Sequence, residues 1–212
     1  MSYTLSSGSP SQPILPSSPS PSETFTLHTP PRADIWRKPQ PLTDTFNAPR
    51  YLTTLPLEEL KSLQVTVKGA WKTLFDQGGL LIVFPAGDGG KEKWIKTGIE
   101  LYDGQPHVSA VACDRWADWS LLPLPSSDAS EATIVMEREV DASTGEKTST
   151  LWIRCQNPET GRWIPIREIA WGFEHEEGEV QVGVYAAKPT EDQGDANAEL
   201  KVEFKGLEIK RW

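Results

Sequence analysis

Asp103 and Gly104 sit between two runs of alternating residues, and that arrangement leaves this stretch little choice but a β-hairpin. A two-residue turn of the favoured kind needs positive φ at both central positions, which Asp-Gly tolerates. Such a turn pairs Tyr102 with Gln105. Counting back sets Glu100 opposite His107, Gly98 opposite Ser109, Lys96 opposite Val111 and Trp94 opposite Cys113. One face of the pair then carries Ile95, Thr97, Ile99, Val108, Ala110 and Ala112, all small or β-branched. That face must meet a core. A slip of one residue would turn Lys96 and Glu100 inward, which costs too much.

Strand signals continue along the chain. Leu63, Val65 and Val67 alternate with Gln64, Thr66 and Lys68, the mark of a strand with one buried face. Residues 79–84 are continuously apolar, as in a strand covered on both sides. Residues 133–140 and 148–156 bracket a loop with Gly145, and the run from Asn157 to Gly161 is a further hairpin signature. Val180, Val182, Val184 and Ala186 alternate again. In the last run Leu200, Val202 and Phe204 give way, after Gly206, to Leu207 and Ile209 on the opposite parity, which predicts a β-bulge. Only residues 56–61 hint at a helix. About ten or eleven strands joined by hairpin turns predict an all-β sandwich or barrel. Residues 1–23, dominated by Ser and Pro, are expected to form a tail, with Tyr3, Ile14 and Leu15 able to dock locally. Residues 24–212 form the folded domain.

Composition narrows the partners. The formal net charge is −9 and no Lys/Arg run stands out, so nucleic acid and anionic membrane are disfavoured. No stretch is apolar enough for a membrane span, and the first residues lack the pattern of a secretory signal. The expected compartment is the cytoplasm. Cys113 and Cys155 each lie in a strand-like run, which suits two buried thiols; a disulfide would need an oxidising compartment. No cofactor is expected. His28, His107 and His175 show no metal-ligand spacing, so no metal is expected either. The run Gly87, Asp88, Gly89, Gly90, Lys91 lacks the ending and the helix of a phosphate loop.

Four spaced blocks suggest a relationship. They are Asp76-Gln77-Gly78-Gly79-Leu80, the run from Lys93 to Glu100, Asp118-Trp119-Ser120, and the run from Val182 to Pro189. Together with Trp36-Arg37-Lys38-Pro39 the chain resembles, over roughly residues 24–212, the fungal and bacterial regulation-of-enolase family. The resemblance implies a concanavalin A-like jelly-roll sandwich of two antiparallel sheets, one bent around a groove on its concave face. It implies no enolase activity. Sugar binding, common among such folds, is an analogy only.

If the non-core face of the hairpin lines that groove, Trp94 offers a stacking platform and Lys96 and Glu100 offer polar contacts. The facing His107 would bond Glu100 or shift its pKa. The alternative is a solvated sheet face with cross-strand charge pairs. Two tryptophans and two aspartates in the run from Asp114 to Trp119, with Arg115 among them, suit a cleft edge at which Trp116 and Asp118 bind and Trp116 is the better ligand candidate; the alternative is a structural corner, with Trp119 in the core and Asp118 capping backbone N–H groups. Gln77 and Tyr185 are further groove candidates, Tyr185 because Gly183 beside it leaves space. Glu137, Glu139 and Asp141 alternate as paired glycosidase carboxylates can, but a solvated edge face fits them better. The leading expectation is a module that binds a small polar ligand of the carbohydrate class and that could regulate a metabolic enzyme as its partner. The alternative is an enzyme acting on a sugar or small metabolite, with Glu100 or Asp118 as general acid or base.

Overall fold

The computed structural model describes residues 2–86, 90–125, 130–174 and 177–212. His175 and residues 87–89 of the glycine-rich loop lie outside them. The chain runs through β1 (Thr4–Ser6), β2 (Thr24–Thr29), β3 (Ile35–Arg37), β4 (Asp44–Phe46) and β5 (Arg50–Pro56). Next come β6 (Leu60–Gly69), β7 (Gln77–Phe84), β8 (Lys93–Tyr102), β9 (Gln105–Cys113) and β10 (Ala117–Pro123). The last five are β11 (Glu131–Val140), β12 (Lys147–Gln156), β13 (Trp163–Ile169), β14 (Glu179–Ala187) and β15 (Leu200–Arg211). The helix hint shrinks to a single 3-10 turn, Leu57–Glu59.

Two antiparallel sheets form the expected sandwich. One orders seven strands as β1-β5-β14-β7-β8-β9-β10, the other six as β13-β12-β11-β6-β15-β2. Between them lies the main core, built from Leu63, Val65 and Val67 of β6, Ile95 and Ile99 of β8, and Val180, Val182 and Val184 of β14. The Asp103-Gly104 turn has φ of 51° and 70°, and the pairing of β8 with β9 follows the expected register from Trp94↔Cys113 to Tyr102↔Gln105. Gly206, with φ 68°, marks the shift of register in β15, and Leu207 is buried beyond it. Among the described residues no helix is long and apolar enough to cross a membrane.

Two features depart from the expectations. The first residues are laid onto the sandwich: β1 pairs with β5, the Tyr51 hydroxyl donates to the Pro16 carbonyl, and the rings of Tyr3 and Tyr51 lie 4.9 Å apart. Tyr3 and Leu15 pack on the core while Ile14 is fully exposed. The second departure is a third layer. The hairpin of β3 and β4 covers the outer face of the seven-stranded sheet, and Ala33, Ile35 and Ala48 bury themselves against Leu81, Val83, Trp94 and Val111. Strands β7 and β8 are therefore buried on both faces. Lys96 and Glu100 are out of water even in the register that turns them away from the main core.

Candidate functional site

The pairing places residues in rows across the outer face of the seven-stranded sheet. Leu81, Lys96, Val111 and Trp119 share one row. Tyr185, Gly79, Gly98 and Ser109 share the next, and Gln77, Glu100 and His107 the one after. The two facing glycines leave the centre of the middle row without side chains. A Cβ on Gly98 would lie 1.9 Å from the Gly78 oxygen, so no larger residue fits. The Lys96 side chain occupies the space instead. It crosses the glycine row and donates from Nζ to Gln77 Oε1 at 2.7 Å and to the Ile35 carbonyl at 2.7 Å. The rings of Trp36, Trp94 and Tyr185 surround the ammonium, each 5.5–5.7 Å away from centroid to Nζ. Asp34 Oδ1 stands 3.9 Å off.

Glu100 sits beside this cage. Its Oε2 accepts from Ser109 Oγ at 2.6 Å and from the Trp119 indole at 3.1 Å. Burial pushes the Glu100 carboxyl above its ordinary range, against the pull of Lys96 and of its donors Ser109 and Trp119. Burial likewise lowers the Lys96 ammonium, opposed by Asp34 and Glu100. The Tyr185 phenol is raised by burial, then by Glu100 and Asp34. Burial thus opposes the charged form of both groups.

The hairpin that seals this site is pinned by polar contacts as well as by its apolar side chains. Arg37, buried, pairs with Asp44 at 2.9 Å and donates to the Glu92 carbonyl at 2.9 Å. Ala33 exchanges backbone bonds with Lys188, whose buried ammonium meets Asp76 at 3.1 Å and also bonds Asp192. Where the hairpin ends, aromatic rings form a rim: half-buried Trp36 and Phe75 stand edge-on to Trp119, and the exposed Tyr102 lies 5.3 Å from it. Phe75 is held at φ 68°, a conformation bulky residues avoid, by its N–H donating to Leu101 O and by the bonds of Asp76 to the N–H groups of Lys72 and Thr73.

The nine residues expected to bind thus separate. Gln77, Trp94, Lys96, Glu100 and Tyr185 come together, though beneath the hairpin and not in an open groove. The space beside Tyr185 is taken by Lys96, and the tyrosine hydroxyl is 3.3 Å from Gln77 Oε1. His107 does not reach Glu100; its Nδ1 lies 2.8 Å from the Gln105 carbonyl of its own turn. Arg115, Trp116 and Asp118 lie elsewhere. Asp118 alternates with Trp119, so it leaves the site and pairs with Arg167 of the other sheet at 2.7 Å. The same alternation turns Trp119, rather than Trp116, toward Glu100, and Trp116 is exposed. The acids of β11 have structural partners, Glu137 pairing with Arg154 and Glu139 accepting from Thr148 and Trp152. Cys113 and Cys155 are buried free thiols, Cys113 Sγ lying 3.8 Å from Arg37. Asp34, Trp36, Phe75 and Ser109 were missed as site residues. Ser109 alone had a local signal, its place opposite Gly98.

Comparison with known proteins supplies the relationship. The model of a family described as a protein of unknown function, DUF1349, matches residues 16–211. An uncharacterized protein of Emericella nidulans, AN7484, is 44% identical over 188 residues, covering 88% of this chain and 86% of its own. The Regulation of enolase protein 1 of Saccharomyces cerevisiae is 29% identical over 99 residues, 45% of this chain and 44% of that protein. A functionally unknown protein from Saccharomyces cerevisiae superposes with a TM-score of 0.74 at 21% identity, covering 99% of this chain and 96% of that one. A mutant of the GH43 protein BlXynB from Bacillus licheniformis superposes at 0.56 with 12% identity, over 89% of this chain but 33% of its own. At such identities the likeness is one of fold.

Proposed function

This chain belongs to the DUF1349 family, and we propose that it is a binding module for a small polar ligand of the carbohydrate class, seated over Lys96 and Glu100. One observation carries the reading. A lysine and a glutamate are both withdrawn from water where apolar side chains of similar volume would pack at lower cost. Retaining them suits recognition better than stability. The ligand takes the place of the β3–β4 hairpin, offering an acceptor to Lys96 in place of the Ile35 carbonyl and a hydroxyl to Glu100. Trp119, half-buried at the rim on β10, supplies a flat surface for the C–H face of a sugar.

A screen of mono- and oligosaccharides by thermal shift tests this. The expected result is a sugar that raises the Tm of the wild type but not that of Glu100→Gln, each compared with its own unliganded Tm. No hit, or equal hits with both, removes the assignment. The raised Glu100 carboxyl also favours a second reading, in which it serves as a general acid toward the same ligand. Product formed by the wild type and not by Glu100→Gln would establish it. Asp118 has no part in this reading, because it stands on the other side of its strand, paired with Arg167. An enzyme partner, suggested by the name of the yeast relative, is checked by co-elution with purified enolase. Two unpaired thiols fit a reducing compartment such as the cytoplasm.

A further inference from the structure

The run from Asp114 to Asp118 is not absorbed by the site above, and the fold carries it to the open side of the sandwich. Strand β10 is the edge of the seven-stranded sheet and β13 the edge of the six-stranded one. Between them lies a cleft of about 240 Å3 bordered by Asp114, Trp116, Asp118, Arg167, Glu168 and Trp171. Its polar groups are held in place. Arg167 reaches across the gap, donating from Nη2 to Asp118 Oδ2 at 2.7 Å and from Nη1 to Ser120 Oγ at 3.1 Å. Lys93 pairs with Asp114 at 2.6 Å and lies 5.5 Å from the Trp171 ring. That ring is fixed edge-on against Phe84 at 5.8 Å, while Trp116 is 36% exposed beneath the Arg115 guanidinium.

Two of the three carboxylates that line the cleft are paired with cations, Asp114 with Lys93 and Asp118 with Arg167, which blunts its pull on a free ion. What it offers is indole surface beside oriented acceptors and a planar donor, which suits a neutral ligand rich in hydroxyls. The volume is below the range of roughly 300–1,000 Å3 that encloses a drug-sized molecule, so only a ring or two of a longer chain would enter. We propose that this edge cleft binds neutral oligosaccharides, with one ring stacked on Trp116 and its hydroxyls shared among Asp118, Glu168 and Arg167. It rests on the carbohydrate class proposed above but on different residues.

The test titrates the 15N-labelled full chain with cello-, laminari-, xylo-, malto- and mannohexaose up to about 10 mM, near the weak limit of measurable affinity. The expected result is that at least one sugar shifts the indole signals of Trp116 and Trp171. Trp116→Ala and Asp118→Asn should each weaken that binding at least about tenfold, close to 1.4 kcal/mol. Their melting temperatures should stay near wild type, and Glu100→Gln should leave the shifts of the Trp116 and Trp171 indoles unchanged. Silence of these two indoles with every hexaose, or wild-type affinity in Trp116→Ala, overturns the proposal. Shifts confined to Trp36 and Trp119, abolished by Glu100→Gln, would overturn the edge cleft while leaving the covered site standing.

Discussion

The Lys96 ammonium donates to the main-chain oxygen of Ile35 at 2.7 Å, so the one cation on the floor of the covered site is closed off by the backbone of the hairpin above it. A backbone acceptor is independent of the side chain at Ile35. The floor therefore recognises the shape of the hairpin more than its sequence. The Glu100 carboxylate, by contrast, accepts at Oε2 from the sheet and its edge, from Ser109 and Trp119.

That contrast makes Glu100 the group whose titration is legible in stability. Its folded-state pKa is raised, chiefly by burial. The unfolded chain therefore releases the proton first, and stability falls as pH climbs from the ordinary glutamate range toward the raised value. Above that value the loss is complete. Denaturant unfolding across pH should show the wild type losing stability relative to Glu100→Gln within this window. Parallel profiles for the two proteins would show that Glu100 is not strained by burial.

The glycine row provides a comparison of two small substitutions. In Gly98→Ala the new Cβ would lie 1.9 Å from the Gly78 oxygen, and only backbone movement could relieve it. The expected loss is about 3 kcal/mol or more. In Gly104→Ala nothing lies within 4 Å, and only the φ of 70° is unfavourable. That variant should lose about 1–2 kcal/mol. Equal losses in urea unfolding would mean that the sheet yields at Gly98.

The Lys188 ammonium and Asp76 carboxylate are each at most 2% exposed, and they tie the end of β14 to the loop before β7. Removing Asp76 leaves the lysine buried with less compensation. Asp76→Ala should cost about 3–5 kcal/mol. Asp192 touches the same ammonium from a partly exposed position. Asp192→Ala should cost about 1 kcal/mol at most. A reversed order, measured by denaturant midpoint, would make Asp192 the principal partner.

Local chemistry made much of the sandwich readable. Asp103-Gly104 fixed a turn, the turn fixed a register, and alternation then assigned a face to every residue of β8 and β9. Strands that lacked such signals were missed. In β5, Tyr51 and Leu55 meet the main core while Leu52 meets the hairpin, so both faces are buried and no alternation appears. Strands β1, β3 and β4 have three residues each, too few for a period to emerge.

The sequence by itself determined the sheet class, the hairpin at Asp103-Gly104, the bulge at Gly206, and which side chains share the outer face of β8. Those properties follow from neighbours a few residues apart, through φ preferences and period-two alternation. Only the tertiary structure decided that Lys96 and Glu100 are covered, because the covering hairpin lies some sixty residues earlier, at Ile35. Likewise Arg167, nearly fifty residues beyond Asp118, decides that this acid serves an inter-sheet edge. Contacts between such distant segments depend on how the layers stack, and no local pattern encodes that.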